Sequence, residues 1–459
     1  HPVSRCPPGG RANCCAVCEA RNALGLTKPK LSMRYAESEN LLERALQSIP
    51  LGSQTFSKSI TQYPRGVSPL FIERGKGAHV WDPDGNEYVD FVNSLCAVNL
   101  GYCDPDVDDA VQRQMRNGVT FSLPHRLEME VSELLTEIIP CAEMVRFGKN
   151  GSDSTSAAIR IARAHTARDR IAVCGYHGWQ DWYIGSTARH LGVPDPIRKL
   201  THSFVYNDIS SLRTLLETYP GEFAAIILEP MNVAFPLDDF LHKVRDLATN
   251  NGSILILDET ITGFRFSMGG AQEMFGVTPD LATFGKGIAN GYPLSAVVGR
   301  ADLMHTVKKI FYSGTFGGET LSLAAAKAAI QKLRRESVIP LLRSKGETLL
   351  AGVQNLISHH CCQDFLSISG HPSWTFLNFR DAKGASMWEI KTLFLQEIFA
   401  RGFLTIGTHN LSFSHTEDDI LGILRAYDDI FSILRRSIDT GSIRQMLKCD
   451  PLVPLFRVR

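Results

Sequence analysis

Two short stretches of the chain carry residues whose types and spacing suit covalent chemistry. In SILILDETITGFR, Ser253 to Arg265, an apolar run ends on Asp258 and Glu259 ahead of a glycine-containing loop. Ligands of open α/β sheets sit beyond the carboxyl ends of strands, so an acid at that place faces the ligand crevice. In DLATFGKGIANGYPLSAVVGR, Lys286 comes 28 residues after Asp258 and stands between two glycines. Small neighbours let a ligand approach the backbone closely, and partial desolvation turns a lysine amine into a nucleophile.

Three further segments supply what a flat, phosphate-bearing ligand needs. VRFGKNGSDSTSAAIRIARA sets Asn150, Gly151 and Ser152 just ahead of a helix expected to start near Asp153. Free N–H groups and a hydroxyl at a helix start bind phosphate. CGYHGW places Tyr176 and His177 directly after an apolar strand, where an aromatic ring stacks on a heterocycle. SGTFGG offers Thr315 as another hydroxyl. Singly, each feature has a plainer meaning. GKG is ordinarily a loop, and a nucleotide phosphate loop needs Ser or Thr where Gly287 stands. Asp-Glu after a strand is ordinarily a turn or cap, NGSDS a helix cap, and Tyr176 a packing ring. All five, in this order and spacing, outweigh those meanings.

Together the segments resemble the class III (omega-type) pyridoxal-phosphate (PLP) aminotransferases, most strongly the branch containing glutamate-1-semialdehyde 2,1-aminomutase. The likeness runs from about Met33 to a helix ending near Arg436, centred on DETITGFR and FGKGIANGYP. It implies the type I PLP-dependent transferase fold, pyridoxal 5'-phosphate as cofactor, and a homodimer with active sites at the subunit boundary. By that resemblance Lys286 matches the imine-forming lysine, which also shuttles the proton between substrate carbon and cofactor. Asp258 matches the acid on the pyridine nitrogen, where an ionised carboxylate favours the protonated ring. Tyr176 matches the aromatic over one ring face and joins Lys286 and Asp258 as catalytic. Thr260 stands where the family has an apolar residue on the other face. Asn150, Gly151 and Ser152 match the phosphate cup, with His177 a further cofactor contact. Glu229, in the LEP segment, matches an acid beside the ring's phenolic side. Thr315 matches a hydroxyl given to the phosphate by the neighbouring subunit.

Three departures bear on substrate. Lys58 stands where the aminomutase branch has an arginine for the substrate carboxylate, so a point charge replaces a bidentate fork. Leu95 replaces a pocket-wall tryptophan, and Asn232 lies in a shortened segment after Glu229. The resulting expectation is a PLP-dependent transfer of an amino group between an amino donor and an aldehyde or keto acceptor. Intramolecular transfer in a glutamate-1-semialdehyde aminomutase is the narrower alternative. A catalytically silent PLP-fold binding protein is the alternative of another class, disfavoured because Lys286, Asp258 and Tyr176 are all present.

The elements that must position these residues are legible from apolar periodicity. An amphipathic helix begins just beyond Met33, and HVWDPDGNEYVDF reads as a hairpin about its Asp-Gly turn. Apolar runs at 170–174, 224–228 and 253–257 alternate with helical stretches at 154–166 and 237–250, implying βα units on a mostly parallel sheet flanked by helices. Helices at 321–334 and 338–357, a strand at 374–379 and helices at 386–400 and 417–436 form a smaller α+β domain. The expected division is 1–32 as a disordered or non-native extension, 33–95 joining the small domain, 96–318 as the large PLP-binding domain and 319–459 as the small one.

Composition excludes several classes. With 48 Lys+Arg against 48 Asp+Glu, nothing favours a nucleic acid or an anionic membrane as partner. No apolar run reaches membrane-spanning length. Eleven scattered cysteines in 459 residues argue against a disulfide scaffold and for a reducing, cytoplasmic setting. Residues 1–32 carry five basic residues against Glu19 alone, so a plastid transit peptide is the other reading of that extension. No metal site is expected. Cys15 and Cys18 lack a second half-site, and the adjacent His359, His360, Cys361 and Cys362 have diverging side chains, as in a solvated loop.

Overall fold

The computed structural model describes residues 33–453; the expectations for residues 1–32 lie outside them. Seven strands make the large sheet. In chain order they are β1 (Met144–Gly148), β2 (Arg170–Cys174), β3 (Thr201–Ser203), β4 (Phe223–Leu228), β5 (Ile254–Asp258), β6 (Leu281–Phe284) and β7 (Ser295–Gly299). Their spatial order is β1-β7-β6-β5-β4-β2-β3. Pairing is parallel throughout except at β7, which runs antiparallel to both β1 and β6. Every residue of β4, β5, β6 and β7 is buried. Continuous apolar runs such as FAAIIL and ILIL therefore mark strands covered on both faces, as a parallel sheet requires.

The helix Gly151–Thr166 packs beneath β4, β6 and β7, and Phe240–Asn251 packs on β4 and β5. The first begins two residues before its expected start because Asn150, not Asp153, is the N-cap. Asn150 Oδ1 accepts from Asp153 N–H at 3.2 Å, while Asp153 closes a capping box from the third helical position.

A second region combines helices Val338–His359, Met387–Ala400 and Glu417–Asp439 with a three-stranded antiparallel sheet of Leu366–His371, Trp374–Phe379 and Thr408–Asn410. The hairpin His79–Trp81 and Glu87–Asp90 joins it, because Glu87–Asp90 pairs in parallel with Phe403–Leu404. Arg265, fully buried, ties the loop after β5 to this region. Its guanidinium donates to the carbonyls of Ser373 at 2.8 Å and Leu411 at 3.0 Å, and to Asn99. Among the described residues no helix is long and apolar enough to cross a membrane, and all seven cysteines are free thiols.

The expected solvated loop at 359–362 is only half so. Cys362 is buried, its thiol directed at the Phe431 carbonyl, and it packs in the core. His359 and His360 do approach each other, with Asp428, to within 4.8 Å; His360 Nε2 already bonds Asp428 at 2.6 Å.

Three buried histidines make the second region acid-sensitive. His409 lies between the Thr375 hydroxyl (2.8 Å) and the Tyr427 hydroxyl (2.6 Å). His415 packs on Phe91 with ring centroids 4.5 Å apart, and His371 stacks on Phe266 at 4.0 Å. Burial lowers His371 and His409 to about 3 and His415 to about 4. The unfolded chain, with ordinary imidazoles, binds more protons throughout this interval. Stability is therefore fully present above the ordinary histidine value and is lost as pH falls from about 6.5 towards 4. Denaturant midpoints should drop steeply between pH 7 and 5, with a limiting slope of about 4 kcal/mol per pH unit from three protons. A flat profile across that interval would contradict the neutral buried state of these rings, and His409→Gln should make it shallower.

Candidate active site

Five strand ends converge on one edge of the large sheet. Because β7 alone is reversed, β1, β2, β4, β5 and β6 all point their carboxyl ends the same way. From these ends lead Asn150 (after β1), Tyr176 and His177 (after β2), Glu229 (after β4), Asp258 (the end of β5) and Lys286 (after β6). Residues spread over more than a quarter of the sequence thus gather at one edge of the sheet, at the place ligands occupy in open α/β sheets.

Asp258 is buried and accepts three hydrogen bonds. Oδ2 faces His177 Nδ1 at 2.9 Å; Oδ1 accepts from the Thr283 hydroxyl at 3.0 Å and from Thr260 N–H at 3.1 Å. Burial pushes the carboxyl up, but the hydrogen bond and field of His177 outweigh it and hold Asp258 below the ordinary aspartate value. The group is an anion at neutral pH. His177 is itself buried, its Nε2 facing the Cys174 carbonyl at 3.2 Å. A ring fixed at both nitrogens cannot swing away from the acid.

Glu259 is turned elsewhere. It is buried beneath the following loop, accepts from the N–H groups of Ala271 (2.7 Å) and Gln272 (2.8 Å), and caps the short helix Ala271–Phe275. Burial raises its carboxyl. Of the two acids at the end of β5, only Asp258 faces the cleft.

Lys286 opens a 3-10 turn, Lys286–Ala289, and is half-buried with φ +43°. A left-handed backbone at a non-glycine residue is uncommon and clusters at functional sites. The flanking glycines are steric necessities. A Cβ on Gly287 would lie 2.3 Å from the Asn99 amide nitrogen. A Cβ on Gly285 would lie 3.3 Å from the Thr260 methyl and 3.9 Å from the Gly151 Cα, so the lysine turn sits against the helix start. Thr260 fills the space between, its hydroxyl buried with no hydrogen-bond partner among the described residues.

At that helix start the N–H groups of Gly151 and Ser152 find no acceptor among the described residues. The Ser152 hydroxyl accepts from Trp179 N–H at 3.3 Å, and Gly178 leaves it room, since a Cβ there would lie 2.3 Å away. Asn150 is exposed, and its side chain serves as the helix cap. Tyr176 is partly exposed over the cleft, its ring edge-on to Tyr183 at 5.7 Å and its N–H donated to Glu229 Oε2 at 2.9 Å. Asn232 donates to the same oxygen at 3.0 Å.

The other expected residues are peripheral within the single chain. Thr315 is exposed in the 313–318 loop. Lys58 is exposed on the turn Phe56–Lys58, close enough to act on the buried Asp90 carboxyl. Leu95 is half-buried inside a left-handed turn, Asn93–Cys96, whose four φ angles are +45°, +49°, +58° and +72°. Asp90 Oδ1 fixes that turn by accepting from Val92 N–H (2.7 Å) and Asn93 N–H (3.0 Å). Sequence patterns did not single out Thr283, whose only signal is its place opposite Asp258 in the register of β5 and β6.

The arrangement fits PLP: a glycine-walled cradle with free N–H groups for a phosphate, a buried hydroxyl without a partner, a buried anion and a lysine on adjacent strands. Comparison with known proteins agrees. Residues 62–371 match the class III aminotransferase family. The chain is 33% identical over 416 residues to 3-aminobutyryl-CoA aminotransferase of Cloacimonas acidaminovorans (strain Evry), spanning 88% of this chain and 99% of the relative. It is 38% identical over 335 residues to glutamate-1-semialdehyde 2,1-aminomutase of Francisella philomiragia, spanning 69% and 77%. Among solved structures, the PLP internal aldimine form of the Sphingopyxis sp. MTA144 FumI protein superposes with a TM-score of 0.82 at 28% identity, covering 90% of this chain and 100% of that one. An omega-transaminase from Sphaerobacter thermophilus gives 0.78 at 28% identity, covering 89% and 99%. The chain belongs to the class III aminotransferases, PLP-dependent enzymes of the type I fold.

Proposed function

We propose that the protein transfers an amino group between two separate molecules, an amine donor and an aldehyde or keto acceptor, with Lys286 as the covalent anchor of PLP. The observation that carries this reading is the buried, ionised Asp258, clamped by His177, on the strand beside the one that delivers Lys286. PLP supplies an electron sink for the substrate carbon that loses its proton. The chain's own residues do the rest. Asp258 would hold the pyridine nitrogen, its carboxylate favouring the protonated ring. Gly151 and Ser152 offer N–H groups to the phosphate, at the positive end of a 16-residue helix. Thr260 and Tyr176 would hold the ring between them, with Glu229 a further contact, as the family resemblance implies. The Lys286 amine would be the group that holds and moves the proton at the substrate carbon.

Pocket walls, not cofactor contacts, choose the substrate. Lys58 offers a point charge, Leu95 an aliphatic surface, and Asn232 is tethered through its amide to Glu229. An aliphatic wall and a point charge in place of a bidentate fork give less grip on one fixed carboxylate-bearing aldehyde. The relative aligned over nearly its whole length is named for aminotransfer on 3-aminobutyryl-CoA, which accords with intermolecular exchange. The identity to glutamate-1-semialdehyde aminomutases keeps intramolecular transfer as the second reading.

The functional unit is proposed to be a homodimer. Phe311 and Phe316, on either side of Thr315, are 79% and 58% exposed. The Thr320 N–H bond to the Val119 carbonyl (3.0 Å) brings the exposed Phe121 and Leu123 segment alongside. An apolar surface of this kind marks a protein interface, and burial there would carry Thr315 to the partner's phosphate.

Lys286→Ala should abolish the absorbance of the lysine-bound cofactor and lower turnover at least about a thousandfold, within the range ascribed to a positioned acid–base group. Turnover with an amine donor that survives this change would refute the assignment. A half-reaction screen should find amines that convert the cofactor to its amine form; conversion of glutamate-1-semialdehyde alone, with no external donor or acceptor, would favour the aminomutase reading instead. Phe316→Asp should shift the chain from dimer to monomer in sedimentation and weaken PLP retention. A wild-type chain that sediments as a monomer at micromolar concentration would remove the shared-site proposal.

A further inference from the structure

Thr283 is not among the residues that match family positions, yet its side chain links the strand that leads to Lys286 with the acid at the end of β5. It lies on β6, fully buried, directly opposite Asp258 in the parallel register. Its hydroxyl donates to Asp258 Oδ1 at 3.0 Å, and its carbonyl accepts from Glu259 N–H at 2.8 Å. Three residues further along the same strand and turn comes Lys286. The contact therefore spans from the strand that carries the acid to the strand that carries the amine.

A hydroxyl in this place has two physical consequences. First, a hydrogen bond to a buried carboxylate stabilises the charged form, and bonds to charged groups are the stronger ones. Burial acts against ionisation of Asp258 and His177 is the main group that offsets it; the Thr283 hydroxyl, 3.0 Å from Oδ1, adds a donor by its geometry. Second, the three donors come from different directions. His177 holds Oδ2 from the β2 side, while Thr283 and Thr260 N–H hold Oδ1 from β6 and the following loop. Without Thr283, the carboxyl loses the donor that reaches it from β6, and its hold on Oδ1 is left to Thr260 of the following loop.

We propose that Thr283 is a positioning residue for the amino transfer, holding Asp258 ionised and aimed and registering it against Lys286. The inference rests on the PLP reading above. Its action is indirect: Thr283 touches neither substrate nor cofactor and works through Asp258. The hydroxyl, rather than the bulk of the side chain, is the operative part, because it is the atom that bonds Asp258 Oδ1.

The test uses full-length apoprotein and PLP labelled with 15N in the ring. Wild type is compared with Thr283→Val, which keeps the shape and removes the donor, with Thr283→Ala, which removes both, and with Thr283→Ser, which restores the donor. Val and Ala should weaken PLP binding, followed by fluorescence quenching, about 10- to 100-fold, as expected for loss of a bond to a charged group. The 15N resonance should report loss of the pyridine proton at lower pH than in wild type. With a donor amine accepted by wild type, kcat should fall while KM changes little. Ser should return affinity and the 15N titration to within about threefold of wild type. Val indistinguishable from wild type in affinity and 15N titration would overturn the proposal, as would Ser as impaired as Val, which would make the methyl's packing the cause. Wild-type apoprotein that takes up no PLP would overturn the functional reading with it; wild type that binds PLP beside an unaltered Val variant overturns Thr283 alone.

Discussion

The site depends on keeping one carboxylate charged where no water reaches it. Asp258 ends a strand whose residues are all buried, and isolated burial would drive it to the neutral acid. A neutral acid there would be useless for holding a proton on a heterocyclic nitrogen. The sheet solves this with geometry. The parallel order β6-β5-β4-β2 sets donors on both sides of β5, Thr283 from the adjacent strand and His177 from a loop that reaches across the end of β4. The edge of a parallel sheet, where loops from several strands meet, is the place in the fold where such a set of donors can be assembled around one residue.

Strain and open space mark the rest of the site. Lys286 holds a left-handed backbone, and four successive non-glycine residues do so at Asn93–Cys96, a conformation costing roughly 1–2 kcal/mol per residue. Such turns persist only where surroundings over-determine them. Asp90 grips two N–H groups of the second turn, Asn93 donates to the Asn410 carbonyl, and Asn410 returns a bond to the Val92 carbonyl at 2.6 Å. The wall carrying Leu95 is therefore braced against the C-terminal sheet. Glycine serves the opposite purpose near the cradle: at Gly151 and Gly285 the missing side chains keep the helix start and the lysine turn in contact through Thr260.

How much of this was legible from the sequence follows the range of each signal. The buried strands and the Asp258–Lys286 spacing are local, and FAAIIL, ILILD and FGKG announce themselves. Asp258 and Glu259 look equivalent in sequence; only the fold reveals that Glu259 turns under its loop to cap Ala271–Phe275. The helix after β1 begins earlier than its pattern suggests because Asn150 and Asp153 are both good capping residues and share one capping box. His177 reads as a neighbour of Tyr176 and Thr283 as a buried strand residue, since their bonds to Asp258 depend on strand order and register that no single segment encodes. Cys362 sits in a polar-looking run but enters the core because the helix before it ends one turn earlier.

A mechanical separation between chemistry and selectivity follows. Apart from Thr315, the groups assigned to PLP stand at strand ends, in the loops directly after them or on the first turn of a helix, close to backbone pairing across the sheet. Those assigned to substrate stand on irregular chain: Lys58 on an exposed turn, Leu95 in the braced left-handed turn, Asn232 in the segment after Glu229. Changes on irregular chain leave strand register untouched, so the pocket wall can be altered without moving Asp258 relative to Lys286. Asn232 is the exception that tests the boundary. Its amide shares Glu229 Oε2 with the Tyr176 N–H, so altering it perturbs both the Glu229 carboxylate and the Tyr176 backbone. On the proposed assignment, changes at Lys58 and Leu95 act on the turn that Asp90 clamps, whereas a change at Asn232 acts directly on Glu229.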